Sequence, residues 1–132
     1  MKKYGPRRSR DATRGGLAAV LNEIARLSGE FGLDVANVFH AGDGNLHPLI
    51  LFDASDPDSV TRAEAFGARI LELSVEVGGC ITGEHGVGLE KLKETRFIFC
   101  EPELEFERRI KTAFDPRQIL NPGKMIPEPA AR

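Results

Sequence analysis

Val35-Ala-Asn-Val-Phe-His40-Ala-Gly-Asp-Gly-Asn-Leu-His47-Pro-Leu-Ile-Leu-Phe52 decides how this chain folds. Two short apolar and β-branched runs, Val35 to His40 and His47 to Phe52, flank a Gly-Asp-Gly-Asn centre, the mark of a β-hairpin. Gly42, Gly44 and Asn45 tolerate the positive φ that a tight connection needs. Pro48 offers no N–H, which puts that part of the second strand at an edge or at the strand start.

Before this stretch, Leu17, Val20, Leu21, Ile24 and Leu27 recur at helical spacing, so residues 17–30 are predicted as an amphipathic helix. Beyond the hairpin, Asp56-Pro57 reads as an N-cap followed by proline at the first helical position. Ala63, Phe66, Ile70, Leu73 and Val77 then continue at steps of three and four up to Gly78-Gly79, which stop the helix. A glycine-rich loop follows over 80–88, then a short helix through Leu89–Phe99. A last helix runs from Pro102 to about Phe114, with acids early and bases late to suit its dipole. Asp115-Pro116 ends it, and Ile119 to Lys124 forms a turn-rich strap. Helix, hairpin, helices is an α+β order, not a doubly wound one.

The chain has 132 residues, 41% hydrophobic and 29% charged, the composition of one ordinary globular domain. A net charge of −2 argues against nucleic acid as a partner. No apolar run approaches the roughly 18 residues of a membrane span, and no signal peptide is evident, so a cytoplasmic location is expected. The two cysteines, Cys80 and Cys100, have no C-x-x-C spacing and read as reduced thiols, packed or idle. Residues 1–16 read as a disordered basic tail, with a weak polyanion contact as the alternative. Residues 128–132 read as a second tail.

All three histidines lie in two glycine-rich stretches, His40 to His47 and Gly83-Glu-His85-Gly-Val-Gly88. Histidine is the side chain best suited to metal ligation and to proton transfer near neutral pH. On a helix His40 and His47 would stand about 10.5 Å apart along the axis, too far for one ion. Opposed across a hairpin, their Cβ atoms come to roughly 5 Å on one face, and both rings can reach a common cation at about 2.1 Å. The plain alternative is a pair of hairpin-end histidines bonded to backbone or solvent. In extended backbone the neighbours Glu84 and His85 point opposite ways. That leaves Glu84 as third ligand and His85 as general base. Asp43 is better placed as a turn residue than as a fourth ligand. The glycines at 83, 86 and 88 are in the wrong order for a dinucleotide fingerprint, although a phosphate-like nest is open to them. Two histidines and a carboxylate suit a zinc hydrolase, a non-haem iron oxygenase or a manganese- or zinc-assisted dehydrogenase.

Three runs together resemble a known family: Asn37 to Pro48, Gly78 to Gly88, and Ala113-Phe-Asp-Pro116 with Leu120-Asn-Pro-Gly-Lys124. They are similar to the C-terminal portion of FAD-linked glycolate oxidase subunits and of D-lactate and D-2-hydroxyglutarate dehydrogenases, among the vanillyl-alcohol-oxidase-like flavoproteins. The resemblance covers residues 17–127. It implies part of a ferredoxin-like cap domain, and oxidation of a D-2-hydroxy acid (glycolate or D-lactate type) to the 2-oxo acid, with hydride passing from Cα to flavin N5. It assigns His40, His47 and Glu84 to a divalent metal, Zn or Mn, His85 to the base, and Asn121 to the neighbourhood of FAD.

Those enzymes are several times longer and carry an N-terminal FAD-binding domain. The expectation is therefore a fragment, from a truncated gene or a split enzyme, inactive alone and served by a separate FAD-domain chain or oxidase subunits. The alternatives are a non-catalytic fragment that forms a homodimer through its uncovered sheet edge and apolar faces, and a stand-alone metalloenzyme.

Overall fold

In the computed structural model, residues 10–40 and 42–129 are described. They form two compact units, Met1–Gly79 and Cys80–Arg132.

The first unit runs α1 (Arg10–Phe31), β1 (Val35–His40), β2 (Asn45–Ile50) and α2 (Pro57–Glu76). Helix α1 begins at Arg10, seven residues before the periodic apolar stripe starts at Leu17. No proline interrupts 10–16. Residues 1–9 of the expected tail lie outside the described residues. Val20, Ile24 and Leu27 of α1 and Ala63, Phe66, Ile70 and Leu73 of α2 are buried against one another, as their spacing predicts. Val77, the last member of the predicted stripe, is instead exposed just past the helix end. Phe31 stacks on Phe66 with ring centroids 5.2 Å apart.

Where α1 ends, the Arg62 guanidinium of α2 donates to the Phe31 carbonyl at 2.8 Å. Orphaned C-terminal carbonyls are thereby satisfied by a cation, which also suits the helix dipole. The turn that follows is tied by Leu33 N–H to the Ser28 carbonyl and by the Ser28 hydroxyl to the Leu33 carbonyl. It delivers the chain directly into β1.

The hairpin is antiparallel, as predicted, but its second strand starts two residues early, at Asn45 rather than His47. Asp43 N–H closes the connection onto the His40 carbonyl at 3.0 Å. Of the three candidate positive-φ residues only Gly44 uses that freedom, at φ 69°. So short a closure lets pairing resume at once, and Leu51 and Phe52 fall beyond the strand. Val35, Leu46 and Ile50 turn one face of the ladder to the helix core. Ala36, Val38, His40, Asn45, His47 and Leu49 make up the other face.

Asp56 caps α2, its carboxylate accepting from Asp58 N–H at 3.1 Å. At the far end the stop is steric as well as conformational. A Cβ on Gly79 would sit 2.8 Å from the Ser74 carbonyl oxygen, whose hydrogen bond from Gly79 N–H is 2.7 Å. Gly79→Ala is expected to cost about 1–3 kcal/mol, the usual range for overpacking against atoms that cannot yield. Urea denaturation of the two chains checks it, and equal midpoints would refute it.

The second unit holds a glycine-rich loop, a single 3-10 turn (Glu94–Phe97) and helix α3 (Glu101–Phe114), followed by the strap. The helix expected over Leu89–Phe99 is not formed; hydrogen-bonded turns take its place. Thr95 is buried and its hydroxyl donates to the Leu92 carbonyl at 2.6 Å. That local bond competes with helix continuation, and Thr95, Phe97, Ile98 and Phe99 are weak helix formers. α3 starts one residue earlier than expected, and Glu103 accepts the Cys100 N–H at 2.8 Å. Cys80 and Cys100 are free and exposed, so neither is packed.

Candidate metal and base site

His40 ends β1, and His47 lies inside β2 opposite Val38. His40 itself faces Asn45. The two histidines are thus diagonal neighbours on the open face rather than the directly opposed pair the sequence suggested. The diagonal is still within reach for long side chains. The imidazole centroids are 5.5 Å apart with planes at 85°, and ligand-capable nitrogens of the two rings lie within 4.8 Å. Two nitrogens bound to one ion at about 2.1 Å each span at most about 4.2 Å. A small rotation of either ring therefore closes them on a cation. The Asn45 side-chain amide sits 3.4 Å from His47 Nε2 and helps orient that ring, a contact absent from the sequence reading. Asn45 follows the His40 position by five and precedes His47 by two. On a strand, that alternation alone puts Asn45 and His47 on one face.

Glu84 and His85 lie in the loop of the second unit. His85 Nε2 is 3.8 Å from Glu84 Oε2, and the His85 side chain is 79% exposed. The two side-chain ends approach each other instead of diverging, because the loop is not extended there. The loop is closed at Gly86, whose N–H donates to the Thr82 hydroxyl at 2.9 Å while its φ is 79°. Nothing lies within 4 Å of a Cβ built on Gly86, so conformation rather than crowding calls for glycine. Thr82 was not singled out from the sequence; its signal is the four-residue spacing to Gly86. The Cys80 thiol donates to the Thr82 carbonyl at 2.7 Å and completes the approach to the loop.

Asn121 sits in the strap at φ 47°, exposed, with Lys124 Nζ 3.4 Å from its Oδ1. The strap hydrogen-bonds to the end of the glycine loop, from Met125 N–H to the Gly88 carbonyl at 3.0 Å.

The hairpin, the Glu-His loop and the Asn-Pro-Gly-Lys strap hold the three runs of sequence that resemble the C-terminal portion of FAD-linked oxidases. Comparison with known families agrees: residues 12–125 match the family described as FAD linked oxidases, C-terminal domain. The chain belongs to that family. It is 57% identical over 114 residues to the glycolate oxidase subunit GlcD of Escherichia coli, covering 86% of this chain and 23% of that protein. It is 42% identical over 105 residues to a D-lactate dehydrogenase of Archaeoglobus fulgidus, covering 80% and 22%. With a D-2-hydroxyglutarate dehydrogenase of Stutzerimonas stutzeri the identity is 36% over 122 residues, covering 86% and 25%. The chain thus spans about a quarter of the length of these relatives. No helix among the described residues is long and apolar enough to cross a membrane.

Proposed function

We propose that this chain is the metal-holding and proton-accepting part of an FAD-dependent enzyme that oxidises a D-2-hydroxy acid of the glycolate or D-lactate type. The pairing of His40 and His47 on the open hairpin face, in a chain of this family, carries the reading. Their donor chemistry fits a divalent cation such as Zn or Mn: two neutral imidazoles leave positions for a carboxylate and for substrate oxygens. Glu84 supplies the carboxylate.

When bound, the cation supplies Lewis acidity at the substrate hydroxyl and the flavin supplies a hydride acceptor. His85 takes the hydroxyl proton, a task for which a neutral imidazole is suited near neutral pH. Val38 and Leu49, both about half exposed on the histidine-bearing face, exclude water on either side of His47 once that face is covered. Domain 17–127 carries all of these groups, and a flavin-bearing portion must meet it for turnover.

The test is metal binding by the purified chain. After chelator treatment, Zn or Mn titration should give one ion per chain, and His40→Ala or Glu84→Ala should each weaken binding by at least about tenfold. Unchanged metal content in both variants would remove the ligand assignment. Supplying the chain together with a flavin-bearing domain should then yield glycolate or D-lactate oxidation that neither gives alone.

A further inference from the structure

The strap is held in a shape that its own packing does not select. Gln118, Asn121 and Met125 all adopt positive φ, at 50°, 47° and 71°. Asparagine tolerates that region, whereas glutamine and methionine rarely enter it. Ile119, Leu120 and Met125 meanwhile stay largely exposed, so burial of these side chains does not reward the strain. Backbone of this kind persists only where its surroundings over-determine it.

What over-determines its first half is one carboxylate. Asp115 is 4% exposed. Its Oδ1 accepts the Ile119 N–H at 3.0 Å and its Oδ2 accepts the Leu120 N–H at 2.9 Å. Its own carbonyl accepts the Gln118 N–H at 3.0 Å. The Lys111 ammonium, one turn back on α3, donates both to Asp115 Oδ2 and, at 2.8 Å, to the Leu120 carbonyl. Both backbone groups of Leu120 are therefore fixed immediately before Asn121. That hydrogen bond from Lys111 holds the Asp115 carboxyl below its ordinary range; burial opposes it, and the Leu120 and Ile119 amides add to it. Beyond Asn121 the strap is tied again, by Met125 N–H to the Gly88 carbonyl and by the Arg108 guanidinium to the Pro127 carbonyl at 2.8 Å.

We propose that Asp115, with Lys111, is a positioning residue: the pair latches the 118–125 strap in its left-handed course and so sets Asn121 at a fixed place relative to the Glu84-His85 loop, to which the strap is bonded through Gly88. The inference rests on the reading that Asn121 lies near the flavin. It assigns Asp115 no contact with substrate or cofactor.

Amide hydrogen exchange by NMR tests the latch in the full chain. Asp115→Ala should speed exchange at Ile119 and Leu120 by about tenfold or more, the scale of one lost net hydrogen bond, and should weaken the strong intraresidue HN–Hα NOE of a left-handed Asn121. Circular dichroism should show α3 intact. Lys111→Met should reproduce part of the effect and Lys111→Arg should restore it, a rescue that loss of general stability would not show. If Asp115→Ala does not fold, the Lys111 pair carries the same expectation. Native exchange and a native Asn121 intraresidue NOE in these variants would overturn the latch. Asn121→Ala separates the two readings. It should leave exchange at Ile119 and Leu120 native, yet shift the flavin absorbance of the chain assembled with a flavin-bearing portion. No spectral shift would remove Asn121 from the flavin site, whatever the exchange data say of Asp115.

Discussion

His85→Gln is expected to lower turnover of a 2-hydroxy acid by about 10²–10⁴-fold, the range over which a positioned general base contributes. Metal affinity should stay within about threefold of native, in contrast to the losses expected for His40→Ala and Glu84→Ala. The contrast follows from the proposed division of labour. His40 and His47 are held on a ladder whose other face is packed on the core. His85 stands on a loop shaped by Thr82 and Gly86, with its ring mostly in solvent. A ligand needs a fixed direction; a base needs access to a proton. Glutamine keeps hydrogen-bonding capacity but cannot accept a proton near neutral pH. The measurement is kcat and KM for glycolate and D-lactate in the assembly with a flavin-bearing domain, alongside metal titration of the same variant. A loss below tenfold would take the base role from His85. Equal losses of metal and of turnover would make it a ligand instead.

The sequence carried the hairpin, both long helices and the grouping of the histidines, because each has a periodic or compositional signal. Gly-Asp-Gly-Asn between β-branched runs leaves few other readings, and Asp56-Pro57 and Gly78-Gly79 bracket the Phe66-Ile70-Leu73 stripe of α2. Register was less legible. A four-residue closure and a six-residue one both fit that glycine-rich centre, and the choice moves His47 from opposite His40 to diagonal from it. The hydrogen bond from Asp43 to the His40 carbonyl decides it, and nothing in the order of residue types announces that bond. The direction of the Glu84-His85 pair is no more legible: alternation of side chains holds for extended backbone, and here the two side-chain ends approach to 3.8 Å. In the strap, Asp115 looked like a helix stop. Its second role depends on where two amides four and five residues later come to lie, which the positive φ at Gln118 sets. Glutamine gives no hint of such a φ.

Phe66→Ala should be the most damaging single change in the first unit, costing about 3–5 kcal/mol, as for other buried phenylalanines. The ring is fully buried and stacks on Phe31, so both the transfer energy and the aromatic contact are lost. Its neighbours come from α1 and α2, whose backbones are held by the Arg62 bond to the Phe31 carbonyl and cannot readily collapse into the space. Domains of this size have about 5–15 kcal/mol in total, so such a loss removes a large share of it. The consequence reaches the histidines. A two-stranded hairpin is marginal by itself, and Val35, Leu46 and Ile50 anchor this one on the core that contains Phe66. Urea denaturation followed by circular dichroism should therefore show a much lower midpoint, and zinc titration of the same variant should show weakened binding although no ligand was touched. Phe106→Ala on α3 is the control: its side chain is 62% exposed, and its effect should stay within about 0.5 kcal/mol. Equal destabilisation by the two substitutions would mean that the core is not organised around Phe66. A normal zinc affinity in a strongly destabilised Phe66→Ala chain would mean that the hairpin holds its histidines in place without the helices beneath it.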